Sequence, residues 1–275
     1  MITFLTTLLL VLSVPTIIYS DEPDKTLHNK CLYPSVLVKA NNGFGSGVIV
    51  RSDRVSEDRY QNVVITCAHC LPSPHIKYSI GIAEYKDWSY FEKWNYHPAF
   101  VYFRSSEKDD IAILLFESDK PVPTAKIDFN PKIYIGTDVL RVGCGMGDEQ
   151  RIDFGKITSL NGRIEGYVEK ALRTSVYSVP GDSGGPLYHE NKVIGITQAL
   201  RSRSVNHFTD DLIYGISYAI PMRRLKKLSK EINSSMDFVY ESKDKLPVIP
   251  FFQLRMGDAE FNQEIMPGNR WSKGF

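Results

Sequence analysis

Residues 179 to 187 read Val-Pro-Gly-Asp-Ser-Gly-Gly-Pro-Leu. Three glycines and two prolines so close together exclude a helix and a regular central strand. The chain must turn tightly here, with apolar residues closing each end. Glycine at this density lets the backbone take φ > 0 and lets another molecule approach the main chain closely. Ser183 stands at the tip of the turn, beside backbone N–H groups. That arrangement suits a nucleophile with an oxyanion hole. A plain hairpin turn has the same composition, so the meaning of the run depends on partners elsewhere.

Two segments supply them. Val63-Val64-Ile65-Thr66-Cys67-Ala68-His69-Cys70 is a β-branched apolar run that reads as a buried strand. His69 sits where that strand gives way to Leu71-Pro72-Ser73-Pro74. Asp109-Asp110-Ile111-Ala112-Ile113-Leu114-Leu115-Phe116 puts a carboxylate directly before a second buried strand. A lone histidine is usually a satisfied core or surface residue, and a lone aspartate an ordinary strand start. A serine nucleophile, however, needs an imidazole base, and the imidazole needs an acceptor that fixes its tautomer and stabilises its charge. All three occur at strand ends, in the order His, Asp, Ser.

These segments resemble the catalytic motifs of the chymotrypsin-like serine endopeptidases, Thr-Ala-Ala-His-Cys, Asp-Ile-Ala-Leu and Gly-Asp-Ser-Gly-Gly-Pro. The resemblance spans about residues 33 to 222 and implies His69 as general base, Asp110 as its orienting partner and Ser183 as nucleophile. It also implies an oxyanion hole from the N–H groups of Gly181 and Ser183. Tyr96-His97-Pro98-Ala99-Phe100 resembles the family's approach to its aspartate, and Asp110 rather than Asp109 abuts Ile-Ala. The ending Gly215-Ile216-Ser217-Tyr218-Ala219-Ile220-Pro221 looks like the HtrA-type branch, although that branch usually has asparagine where Asp182 stands. In digestive members that aspartate pairs with a new N-terminus, but no Arg-Ile-Val-Gly-Gly start precedes Tyr33.

Many short strands separated by turn signals argue for an all-β fold. The resemblance sharpens this to two six-stranded antiparallel β-barrels, the active site in the cleft between them, and a C-terminal helix. The helix is expected over Pro221 to Ile232, with proline at its first position, Met222, Leu225, Leu228 and Ile232 on one face, and basic residues on the other. The organisation expected is a signal peptide over 1–20, a leader over 21–32 and a peptidase domain over 33–235. The barrels would divide near 117–130, and a C-terminal extension over 236–275 has no assigned role. The signal peptide rests on the uncharged apolar run from Ile2 to Ile18 ahead of Asp21-Glu22-Pro23-Asp24. An uncleaved membrane anchor is the alternative for that run. The aromatic stretch from Tyr85 to Phe103 reads as strand packing, with a substrate-facing ring as the lesser alternative.

A formal net charge of +1 gives no reason to expect nucleic acid as partner. The expected partners are protein or peptide substrates of a secreted or periplasmic enzyme. No metal or organic cofactor is implied. The rival reading is a catalytically inactive homologue acting as a binding module. A non-peptidase acyl hydrolase ranks last, because such enzymes usually carry Gly-x-Ser-x-Gly with histidine last in the chain.

The resemblance places Tyr177, six residues before Ser183, at the base of the primary pocket, with Ser178, Gln198, Leu200 and Gly215 around it. With no carboxylate at Tyr177, a preference for cutting after Lys or Arg is not expected; a small or apolar residue is. The family's usual partner for the cysteine after the catalytic histidine falls at about Gly45, so that bond cannot form. In an oxidising compartment the expectation is a Cys31–Cys144 disulfide holding the leader, with Cys67 and Cys70 free or weakly paired.

Overall fold

The structure, a computed structural model, describes residues 25–40, 43–73, 76–163, 169–202, 212–229 and 231–232. The candidate signal peptide and the C-terminal extension lie outside them. Among the described residues no helix is long and apolar enough to cross a membrane.

Six strands close the first barrel: β1 (Ser35–Ala40), β2 (Gly43–Ser56), β3 (Arg59–Thr66), β4 (Tyr78–Lys86), β5 (Tyr90–Arg104) and β6 (Ala112–Ser118), in the order β1-β2-β3-β6-β5-β4. After β6 the chain crosses to the second barrel through a proline-containing connector. There β7 (Lys126–Ile127) adds a short parallel edge to β12. The second barrel holds β8 (Asp138–Gly143), β9 (Arg151–Arg163), β10 (Glu169–Thr174), β11 (Pro186–His189), β12 (Lys192–Ser202) and β13 (Leu212–Pro221), closed by β11 pairing with both β8 and β12. The two six-stranded antiparallel barrels read from the sequence are present.

The continuous apolar runs of β3 and β6 follow from where their two faces go. Side chains alternate across a strand. Val64, Leu114 and Phe116 point into the first barrel, with Val36, Val38, Ile49 and Ile80. Val63, Ile65, Ile113 and Leu115 point outward, into a second core shared with Tyr188, Val193, Ile196 and Ile220 of the other barrel. Both faces are therefore dry, and each such side chain contributes about 1.5–3 kcal/mol on burial. This seam fixes one barrel against the other. A third core, with Val139, Ile157, Leu172 and Leu187, fills the second barrel.

The leader is anchored at the same seam. Residues Lys25–Leu27 form a helical turn that continues as a wider turn over His28–Leu32. The Tyr33 ring lies 6.1 Å from that of Trp88 and 5.8 Å from that of Tyr85, on the β4–β5 hairpin. Gln150 donates to the Leu32 carbonyl at 3.0 Å and accepts from the Tyr85 hydroxyl at 2.8 Å. Part of the aromatic stretch thus holds the leader down.

Two expectations are corrected. Pro221 is the last residue of β13, so it does not start the helix. The helix runs from Arg223 to Lys227 after Met222, and Met222, Leu225, Leu228 and Ile232 are buried in the seam. The expected Cys31–Cys144 bond is not formed, and all four cysteines are free. Cys31 does lie on the second barrel, but its thiol faces the Asn191 side-chain oxygen at 3.5 Å. Cys144 lies instead against Ser46, whose hydroxyl accepts its backbone N–H at 2.8 Å.

Candidate active site

The antiparallel pairing of β3 with β6 sets Thr66 opposite Ala112, so the end of one strand meets the start of the other. His69 follows β3 in a single 3-10 turn, Ala68–Cys70, and Asp110 precedes β6. Asp110 takes φ of 50°, a left-handed conformation that aspartate tolerates better than most residues. It is 1% exposed. Both its oxygens are engaged: Oδ1 accepts the His69 backbone N–H at 2.8 Å, and Oδ2 faces His69 Nδ1 at 2.8 Å. The first bond fixes the turn and the second fixes the ring, leaving Nε2 for chemistry. The neighbouring Asp109 is occupied elsewhere, by Arg224 of the C-terminal helix at 2.7 Å.

Ser183 lies in the turn between β10 and β11. Its carbonyl accepts the Ser46 N–H at 2.7 Å, and Cys70 Sγ lies 3.5 Å from the same oxygen. The serine turn therefore lies against the histidine turn. Gly181 and Gly184 take φ of 97° and 89°, conformations only glycine adopts without strain. The peptides they orient are largely bonded. The Asp182 N–H donates to Val179, that of Gly184 to Thr197, and the Gly181 carbonyl accepts the Ser46 hydroxyl at 2.8 Å. The N–H groups of Gly181 and Ser183 have no acceptor among the described residues. Two unspent donors beside a serine hydroxyl can hold a developing oxyanion.

A buried charge network fixes this loop from below. Arg141 and Asp182 are wholly buried and pair at 2.5 Å. Arg141 also bonds Asp153 and donates to the Tyr177 carbonyl at 2.6 Å. Arg151 reaches Asp182 at 3.2 Å and Asp153 at 2.8 Å. Asp182 Oδ2 in turn accepts the Val179 N–H at 2.7 Å. Sequence reasoning assigned Asp182 no partner. The signal was an arginine inside the otherwise apolar strand Val139-Leu140-Arg141-Val142, where an unpaired charge cannot be buried.

The charge of His69 is set by its neighbours. Burial lowers the His69 pKa, but the Asp110 and Cys70 hydrogen bonds and charges outweigh it and push the group up to about 10. The Ser183 hydroxyl donates to the Gln198 carbonyl at 2.9 Å, and no hydrogen bond joins it to His69. Rotation about its Cα–Cβ bond is what productive engagement requires.

Of the candidate pocket residues, Tyr177 is 42% exposed, whereas Ser178 and the Gln198 side chain are buried. The Arg151 guanidinium stacks 5.2 Å from the Tyr177 ring. Leu200 and Gly215 lie in β12 and β13, and the surroundings of their side chains fall outside the described residues. Ligand atoms of Cys67, His69 and Asp110 lie within 4.8 Å of one another. The imidazole and carboxylate are already in direct hydrogen-bond contact, closer than the roughly 3.3 Å that two atoms sharing a zinc ion need.

Two antiparallel six-stranded barrels whose His, Asp and Ser turns lie against one another define the class of two-barrel serine peptidase folds. Residues 45–196 match the trypsin-like peptidase domain model, and the chain belongs to that family. It is 34% identical over 122 residues to a periplasmic serine endoprotease DegP-like protein of Hahella chejuensis, covering 43% of this chain and 24% of the relative. With a protease Do-like 14 of Arabidopsis thaliana it shares 24% identity over 208 residues, 72% of this chain and 43% of the relative. The chain thus spans less than half the length of these relatives. A solved structure titled Deg5 shares the fold, with a TM-score of 0.55 and 17% identity over 73% of this chain and 89% of that one. These names agree with the HtrA-type resemblance of the C-terminal strand.

Proposed function

We propose that this protein is an exported serine endopeptidase in which Ser183 is the nucleophile, His69 the general base and Asp110 its orienting partner. The observation that carries the reading is the pair of unspent N–H groups at Gly181 and Ser183, set against the turn that holds the His69–Asp110 pair.

When neutral, His69 takes the proton of Ser183 Oγ as the oxygen attacks a peptide carbonyl. The carbonyl oxygen moves into the two N–H groups as its charge develops, and it is bound most tightly in the transition state. Asp110 holds the imidazolium that forms, which then protonates the leaving amine. Water repeats the sequence on the acyl-enzyme. Export is supported by the apolar run at residues 2–18 and by the periplasmic naming of the relatives. The domain division proposed is a signal peptide over 1–20, a leader over 21–32, the peptidase domain over 33–235 and an extension over 236–275. Substrates are proteins or peptides, and the pocket around Tyr177 favours a small or apolar residue before the scissile bond.

Labelling by a fluorophosphonate probe tests the reading. Covalent labelling of the native chain, abolished in Ser183→Ala and in His69→Ala, is the expected result. Labelling that persists in Ser183→Ala overturns it.

A further inference from the structure

The histidine of the candidate site is bracketed by thiols, in the run Cys67-Ala68-His69-Cys70. Cys67 ends the strand in an extended conformation, and Ala68–Cys70 then makes one 3-10 turn. The Cys70 N–H donates to the Cys67 carbonyl at 3.2 Å. That closure folds residues 67 and 70 back on each other, and their thiols interact electrostatically. Both are free. They differ in access, since Cys67 is fully buried with its thiol on the Thr197 carbonyl at 3.1 Å, whereas Cys70 is only partly covered. No other thiol competes for Cys70. Facing it across the sheet is Gly45, where an added Cβ would stand 2.8 Å from Cys70 Sγ. Cys31 and Cys144 are occupied elsewhere, beside Asn191 and Ser46.

We propose that Cys67 and Cys70 form a reversible dithiol–disulfide centre, open to small-molecule disulfides of the glutathione type through Cys70. A partly covered attacking thiol at the end of one 3-10 turn, with a buried resolving thiol at the turn's start, is an arrangement that thiol–disulfide exchange can use. Electrostatics agree. The Cys67 hydrogen bond, opposed by burial and aided by the hydrogen bond and charge of His69, lowers Cys70 to about 6, while burial raises Cys67.

The chemistry balances in two exchanges. The Cys70 thiolate attacks one sulfur of glutathione disulfide; that S–S bond breaks, a mixed disulfide forms on Cys70, and a glutathione thiolate leaves and takes a proton from water. Cys67 loses its proton to solvent and attacks Cys70 Sγ, expelling the second glutathione. Two protein thiols are oxidised by two electrons, and one glutathione disulfide is reduced to two thiols. Oxidation removes one negative partner of His69 and leaves Asp110 as the other. The sulfur chemistry itself does not depend on Ser183 and extends beyond the peptidase reading.

The test uses the full native chain, equilibrated with glutathione disulfide, then unfolded, alkylated and mapped by mass spectrometry. The expected product has lost two hydrogens, resists alkylation at Cys67 and Cys70 but not at Cys31 or Cys144, and reverts on adding dithiothreitol. Cys67→Ser should accumulate the glutathione adduct at Cys70. Cys70→Ser, which leaves the buried thiol in place, should take up no glutathione and form no bond. Full alkylation of Cys70 after equilibration overturns the proposal. So does a native-chain product that stops at the mixed disulfide, or a bond from either thiol to Cys31 or Cys144.

Discussion

Arg141 and Asp182 face each other across 2.5 Å with neither side chain exposed to solvent. Asp182 precedes the candidate nucleophile, and its second oxygen holds the Val179 N–H, so the ion pair shapes the loop that aims the Gly181 and Ser183 donors. In digestive relatives that aspartate waits for a new N-terminus; here the guanidinium of β8 supplies the positive charge. The network contains two arginines and two aspartates and is neutral as a whole, which is the condition for burying it.

Arg141→Met should therefore leave Arg151 alone against the two carboxylates of Asp182 and Asp153, one of them wholly buried, and cost about 3 kcal/mol of stability in urea unfolding. Peptidase kcat should fall more than KM rises, because the donors act on the transition state. Adding Asp182→Asn removes the stranded charge yet keeps an acceptor for Val179, so the double variant should regain much of the stability. If Arg141→Met alone were as stable and as active as the native chain, the pair would have no positioning role.

The charge state of His69 makes the second prediction. Its pKa in the folded chain, about 10, lies above the ordinary 6.5. Its contribution to stability is thus fully present below pH 6.5 and is lost as pH rises through about 10. Catalysis runs the opposite way, since only the neutral ring takes the serine proton, so activity should climb on the alkaline side. Cys70→Ala removes one negative partner and should move that rising limb to lower pH by about one unit or more. A pH–rate profile of kcat/KM decides it; an unmoved limb in a folded Cys70→Ala protein would disprove the coupling.

Much of this was legible in the residues. The motif histidine and aspartate meet at the ends of β3 and β6, the serine turn lies against the histidine turn, and the apolar runs of β3 and β6 read as buried strands. Their completely buried character had a cause that local pattern does not show, namely that the outward face of each strand meets the second barrel. Arg141 was passed over because a single charge in a strand has no visible partner until residues 153 and 182 are folded against it. Pro221 was misplaced because proline suits the last residue of a strand as well as the first turn of a helix. The cysteine pairing failed for a similar reason, since proximity to one barrel does not fix which side chains meet.

Gly45 offers a third check. A Cβ there would lie 2.8 Å from Cys70 Sγ and 3.3 Å from Cys70 Cβ, close to the separations across a disulfide. Gly45→Cys should therefore bond to Cys70 in air, leave Cys67 free, and add about 3 kcal/mol of stability by closing the loop between them. Peptide mapping without reductant and urea unfolding report both effects. An introduced thiol that stays reduced beside a reduced Cys70 would show that β2 does not face the histidine turn at this distance.

The last prediction concerns the residue before the scissile bond. A basic-specific enzyme needs a carboxylate where Tyr177 stands, and this site instead stacks the Arg151 guanidinium over that ring at 5.2 Å. A positive side chain entering here would meet the Arg151 guanidinium, whose carboxylates Asp153 and Asp182 are already engaged, whereas a small or apolar one would lose only water. A peptide-library digest should consequently show cuts after small or apolar residues, with those after Lys and Arg in the minority. Tyr177→Asp should raise cleavage after Arg by roughly tenfold, toward the low end of what one charged hydrogen bond supplies, because Arg151 competes for the new carboxylate. Predominant cutting after basic residues by the native enzyme would show that Tyr177 does not form the base of the pocket.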